Sequence, residues 1–205
     1  MPDTHRPQIT LITPPSFDLE LFPEQLAAVM DAVDIACLRL SLASADADTI
    51  ARAADACRLV AHARDVAIVI ENHVKFVEAH GLDGVHLTDG ARQVRVLRKD
   101  LGADAIIGAY CAVSRHDGMA AAEAGADYVA FGPAGDSPLG RGEKLDFDLI
   151  EWWSQVIEVP CITEGALTAQ VIGQYAPVTD FFALGAEIWD SEDAAARLRA
   201  LLAGQ

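Results

Sequence analysis

Residues 121–140 read AAEAGADYVAFGPAGDSPLG, and the succession of residue types in this stretch decides the fold. An alanine-rich helix end stops at Gly125, Asp127 opens an apolar run, and the run breaks at Gly132-Pro133 into a small, polar, glycine-rich loop. Glycine ends helices because it enters left-handed backbone at little steric cost. A short apolar run bounded by turn residues reads as a strand buried on both faces. Nearly the same phrase occurs four times: DIACLR from Asp34, DGVHLT from Asp83, DYVAFG from Asp127 and DFFALG from Asp180. Each has apolar residues at the second and fourth positions after the aspartate.

Working outward, further apolar runs fall between these phrases. Strands are predicted at 9–14, 34–41, 66–72, 83–88, 105–112, 127–133, 160–166 and 180–186. Helical periodicity separates them, near 23–31, 46–63, 74–80, 90–99, 116–124, 147–157, 168–174 and 191–203. Strands alternating with helices predict a parallel sheet covered by helices. Eight such units in 205 residues predict an α/β fold: a single (β/α)8 TIM-barrel domain of near-minimum length, spanning residues 1–205. A doubly wound open sheet is the runner-up, but it calls for a glycine fingerprint after an early strand, and TPPSFDLELFP (13–23) has no glycine.

Composition narrows the function. The chain is 52% apolar with a formal charge of −16. A nucleic-acid binder needs a cationic footprint that this chain lacks, and the acidic surface does not suit an anionic membrane. No apolar run reaches the roughly 18–20 residues that span a bilayer. MPDTHRPQIT at the N-terminus has no charged-then-apolar signal region, so a cytoplasmic protein is expected. Cys37, Cys57, Cys111 and Cys161 show no metal-ligand spacing and read as small apolar residues.

Chemistry in such barrels sits at the strand C-termini, and residues at strand starts serve stability. The four phrase-opening aspartates are therefore read as structural. The strand ends supply Thr13, Arg39, Ser41, Glu71, Asn72, Thr88, Asp89, Tyr110, Glu164, Gly165, Gly185 and Ala186. His86 lies one layer below Thr88 and is expected as a hydrogen-bonded interior histidine. Phosphate often rests on backbone N–H groups of the loops after strands seven and eight. The small pairs Gly165-Ala166 and Gly185-Ala186 stand at those two places. The loop GPAGDSPLGRGEKLDFD (132–148) carries Ser137, Arg141 and Lys144 and is expected to close over ligand.

GLDGVHLTDG (81–90), AAEAGADYVAFGPAGDSP (121–138) and VPCITEGALT (159–168) resemble phrases of the thiamin phosphate synthase family, which also includes a thiazole tautomerase. The resemblance runs over roughly residues 8–200 in order and spacing. It implies a TIM barrel that joins an aminopyrimidine diphosphate to a thiazole phosphate in thiamin biosynthesis, with Mg²⁺ neutralising the leaving diphosphate. It also implies a small phosphorylated heterocyclic metabolite as the partner.

Arg39 matches the arginine of the family's Q-L-R-E-K strand, with Cys37 and Ser41 where the family has Gln and Lys. Glu71 and Asn72 stand at the family's Asn-Asp after strand three. Ala91 stands at its second magnesium aspartate, with Asp89 two residues earlier. Tyr110 replaces a serine, Ser137 matches a threonine, Gly140 replaces a lysine, and Gly165 survives between Glu164 and Ala166. The resemblance thus assigns catalysis to Arg39, Glu71 and Asn72, and Mg²⁺ to Glu71 and Asp89. Substrate contacts fall to Thr88, Tyr110, Ser137, Arg141 and Lys144, and phosphate to Gly165, Ala166, Gly185 and Ala186.

Two alternatives stand beside it. One is a metal-independent isomerase of the tautomerase type, in which Ala112 occupies the place of the proton-carrying histidine and His116 follows four residues on. Acid–base work would then fall to Glu71 or Glu164. The other is a non-catalytic protein binding a small phosphorylated metabolite. A homodimer is a further candidate through the paired aromatics Trp152-Trp153, whose alternative is burial against the barrel.

Overall fold

The computed structural model describes residues 6–136 and 142–204. Eight parallel strands close on themselves in sequence order: β1 (Gln8–Ile12), β2 (Cys37–Leu40), β3 (Ala67–Glu71), β4 (Gly84–Leu87), β5 (Ile106–Tyr110), β6 (Tyr128–Phe131), β7 (Cys161–Glu164) and β8 (Phe181–Leu184). Closure is by β1 against β8, with Gln8 opposite Phe181 and Leu11 opposite Leu184. Every expected strand is present, seven inside their expected ranges and β1 starting one residue earlier, at Gln8.

Helices alternate with the strands: α1 (Phe22–Ala32), α2 (Ala47–His62), α3 (Lys75–His80), α4 (Val94–Leu101), α5 (Arg115–Ala124), α6 (Phe147–Val156) and α7 (Ala169–Tyr175). After β8 come a four-residue helix α8 (Ala186–Trp189) and the closing helix α9 (Ala194–Leu202). The sequence reading missed α8, because four residues cannot display a helical period. Among the described residues, no helix is long and apolar enough to cross a membrane.

Alternation along each strand makes two cores. Leu11, Leu38, Ile68, Val85, Ile107, Val129 and Leu184 point outward and pack under the helices. Tyr128, Ala130, Ile162 and Ala183 fill the barrel interior with Ile12, Ile106 and Tyr110 beside them. Trp153 is fully buried in the outer layer, edge-on to Phe131, and its Nε1 donates to the Val159 carbonyl at 2.8 Å. Trp152 is partly buried, with the Arg115 guanidinium 4.2 Å above its ring.

Three of the four repeated aspartates have a visible structural job. Asp83 accepts from the Ile68 amide at 2.7 Å, Asp127 from Ile107 at 2.7 Å and Asp180 from Cys161 at 2.8 Å. Each carboxylate therefore clasps the first turn of the preceding strand from the loop entering its own. Asp83 also meets His62 at 2.9 Å, and Asp127 pairs with Arg98. Asp34, in the same phrase, is exposed. Replacing Asp180 by Ala strands a strand-opening amide and is expected to cost about 1–3 kcal/mol in urea unfolding. The same change at Asp34 is expected to fall within about 0.5 kcal/mol of zero, as for most surface positions.

Candidate functional site

The strand C-termini surround a cavity of about 510 Å³ at the barrel mouth, within the usual range for a small-ligand site. Its wall includes Arg39, Glu71, Thr88, Tyr110, Gly165, Ala166, Gly185 and Ala186, eight of the residues expected from sequence. Apolar surface from Ile12, Pro14, Pro15 and Trp189 forms one side. The Trp189 indole is fixed there by donating to the Ile12 carbonyl at 2.6 Å.

At the floor lies a buried polar relay. Arg39 Nη1 sits 2.9 Å from Glu164 Oε2 and 2.8 Å from His86 Nε2. Because guanidinium only donates, His86 Nε2 must accept, and Nδ1–H then donates to the Tyr128 hydroxyl at 2.9 Å. Arg39 Nε lies 3.9 Å from Glu71. Burial works against the Arg39 charge, but Glu164, Tyr128 and Glu71 around it more than offset this, and its pKa is raised. Burial, then the neighbouring Arg39 charge, holds the His86 pKa well below its usual value. His86 is thus the hydrogen-bonded interior histidine expected from sequence. Gly108 makes the relay possible, since a Cβ there would sit 2.0 Å from the Tyr128 ring.

That arrangement fixes a pH dependence. The folded state resists protonating His86, whereas the unfolded chain takes the proton near pH 6.5. Stability is therefore complete above that pH and falls as the pH drops below it, by up to about 1.4 kcal/mol per pH unit for this one proton. Urea unfolding from pH 7.5 to 5 is expected to show this component in the native chain and to lack it in His86→Gln. An unchanged profile in the variant would remove His86 from the account.

Higher on the wall, Tyr110 donates to the Gly132 carbonyl at 2.8 Å, and burial, with Glu164 nearby, raises its pKa to about 12. Gly132 is required where it stands, because a Cβ would lie 2.4 Å from the Glu164 carbonyl oxygen. The loop that follows continues the sheet: Ala134 donates to Glu164 O and Gly135 to Gly165 O, each at 2.9 Å. Asn72, in left-handed backbone at φ 58°, spends its amide on Thr88, donating to its hydroxyl at 2.8 Å and accepting from its N–H at 3.1 Å. This clasp ties the ends of β3 and β4.

Other expected contacts lie elsewhere. Lys144 is exposed, 3.4 Å from Asp136, and does not line the cavity. Ser137 and Arg141 lie outside the described residues. Asp89 is exposed just beyond β4, with Gln93 3.5 Å away. Among the described residues no group of three or more His, Cys, Asp or Glu side chains could hold a metal. Of the two carboxylates expected to hold Mg²⁺, Glu71 lines the cavity and Asp89 does not, and two carboxylates are too few for an all-protein cage. Burial raises the pKa of the Cys37, Cys57, Cys111 and Cys161 thiols to about 12, which disfavours the thiolate at each. His116 is exposed on α5 and does not line the cavity.

The residue that sequence reasoning missed is Glu187, in the first turn of α8. Its Oε2 accepts from the Gly185 N–H at 2.8 Å and its Oε1 from the Leu167 N–H at 3.1 Å. The signal was an acidic residue two places after a strand-ending glycine, a position that favours negative charge at a helix start.

Comparison with known proteins agrees with this architecture. The family profile described as thiamine monophosphate synthase matches residues 9–185. Thiamine-phosphate synthase of Rhodospirillum centenum is 38% identical over 187 residues, covering 89% of each chain. That of Erythrobacter litoralis is 34% identical over 181 residues, covering 85% of each. Among solved structures, thiamine phosphate pyrophosphorylase from Pyrococcus furiosus superposes with a TM-score of 0.80 at 17% identity over 98% of both chains. (S)-3-O-geranylgeranylglyceryl phosphate synthase from Thermoplasma acidophilum gives 0.73 at 14% identity, over 97% of this chain and 92% of that one. At such identities the structural matches speak for the fold.

Proposed function

The chain belongs to the thiamine monophosphate synthase family, and on that premise we propose that it transfers an aminopyrimidinylmethyl group from its diphosphate ester to the ring nitrogen of a thiazole acceptor. The carbon–oxygen bond to the diphosphate breaks with its electron pair going to the leaving group. The nitrogen lone pair forms the new carbon–nitrogen bond, and no proton is exchanged. The observation that carries this reading is the coincidence of two facts: family similarity runs through all eight strands, and their C-termini converge on one cavity of ligand size.

The roles follow from position. Arg39 keeps a buried positive charge at the cavity floor, its Nε 3.9 Å from Glu71 and without a hydrogen-bond partner among the described residues. Glu71 and Asp89 would hold Mg²⁺, which supplies charge neutralisation for the leaving diphosphate when bound. Ser137, Arg141 and Lys144 remain candidates for contacts made when the loop after β6 meets the substrate. Tyr110 and the apolar wall bound the heterocycles and keep water from the reacting carbon.

Product formation from aminopyrimidine diphosphate and the thiazole acceptor tests the reading. Loss of one electrostatic partner of the leaving group is expected to cost about 100-fold in kcat for Glu71→Ala or Asp89→Ala. EDTA is expected to abolish turnover. Full activity in both single variants would sink the Mg²⁺ assignment. The metal-independent isomerase gains no observation of its own: His116 is exposed on α5 and does not line the cavity, and His86, which does, is held between Arg39 and Tyr128.

A further inference from the structure

Trp189, the last residue of α8, is a partly buried ring on the cavity wall, beside Ile12, Pro14 and Pro15. Two contacts fix its orientation. Its Nε1 donates to the Ile12 carbonyl at 2.6 Å, and its ring meets Phe22 edge-on with centroids 5.1 Å apart. Phe22 is itself buried and stacked on Phe17 at 4.1 Å. Three rings from the loop after β1, α1 and α8 thus form one braced group whose last member borders the cavity. A platform held in place before the ligand arrives lowers the entropy cost of binding a planar ring.

Position assigns it to one half of the reaction. Trp189 stands where β8 and β1 meet, while Glu71, the wall carboxylate expected at the diphosphate end, closes β3. The acceptor ring therefore belongs toward Trp189. As the ring nitrogen gives its lone pair to the methylene carbon and the diphosphate departs, that nitrogen becomes quaternary and the thiazole ring takes a positive charge. The face of an indole attracts a cation within about 6 Å of its centroid, more strongly where water is excluded. An interaction that grows with that charge lowers the barrier, beyond any binding of the neutral ground state.

We propose that Trp189 is the platform for the acceptor heterocycle, holding the thiazole ring against the indole and stabilising the positive charge that develops on it during transfer. This rests on the family reaction and adds to it a catalytic residue and a ligand preference: a cationic azolium ring over the neutral azole at the same seat.

Titration calorimetry with the thiazole phosphate and with its N-methylthiazolium counterpart, on the full chain, reads that preference without turnover. The native chain is expected to bind the thiazolium more tightly. Trp189→Leu is expected to weaken the thiazolium about tenfold and the neutral ring far less. Fluorinated tryptophan keeps the shape and the N–H of the indole but weakens the negative face of the ring, and is expected to narrow the preference in the same direction. It replaces all three tryptophans, of which Trp152 and Trp153 do not line the cavity. Equal losses for both ligands in Trp189→Leu would mean that the indole only braces β1 through Ile12, and would overturn the proposal. A preference untouched by fluorination would overturn it as well, and would pass to the neighbouring carboxylates of Glu187 and Asp190. In turnover, Trp189→Leu is expected to lower kcat and to leave the KM for the aminopyrimidine diphosphate unmoved; an effect confined to that KM would place the pyrimidine here instead and overturn the assignment. No product from the native chain contradicts the family reaction, whereas binding still decides the role of Trp189.

Discussion

Arg39→Met is expected to lower the unfolding free energy by about 3–5 kcal/mol, the usual cost of leaving one member of a buried ion pair alone. Glu164 is the partner left behind, 2.9 Å from the lost Nη1 and almost wholly buried. His86 Nε2 loses its donor in the same stroke. The penalty belongs to the stranded charge more than to the arginine, so removing Glu164's charge as well should restore much of it. The double variant Arg39→Met/Glu164→Gln is therefore expected to be more stable than Arg39→Met alone, measured by urea unfolding. Equal stabilities would mean that the pair is not coupled and that the relay does not hold the barrel floor. Both variants are expected to lose transfer activity, because the cavity's cation is gone in each.

Trp153→Ala is expected to cost a similar amount, about 3–5 kcal/mol, for a different reason. The indole is fully enclosed between helix α6 and the barrel, against Phe131, and Gly118 on α5 has no room for a Cβ beside it. Deleting it leaves a cavity that the strands cannot close, and orphans the Val159 carbonyl at 2.8 Å. Trp152→Ala, at a half-buried ring beneath Arg115, is expected to cost well under half as much. Equal losses at the two positions would contradict the packing described here.

Much of this architecture was legible because barrels write it redundantly. A doubly buried strand needs only a short apolar run, and the four aspartate phrases mark alternate strands by position. What those aspartates grip was not legible: Asp180 reaches the amide of Cys161, a residue of the neighbouring strand that parallel pairing of β7 with β8 brings near. The same holds for the mouth. Arg39 and Glu164 were each visible as strand-end residues, but their pairing joins strands on opposite sides of the barrel. The carboxylate that accepts from the Leu167 and Gly185 N–H groups is Glu187, hidden in a helix too short to show a period. Asn72 was read as catalytic from its place in the family pattern. Its left-handed backbone and its two bonds to Thr88, which tie β3 to β4, only the fold could reveal.

The central claim is that this acidic mouth performs the family's transfer. A single-turnover reaction with excess chain, aminopyrimidine diphosphate, Mg²⁺ and the thiazole acceptor, read by mass spectrometry, tests it most directly. The account predicts one equivalent of the joined thiazolium product with diphosphate released in step, and loss of both in Arg39→Met. Intact diphosphate ester after prolonged incubation with the acceptor would contradict it.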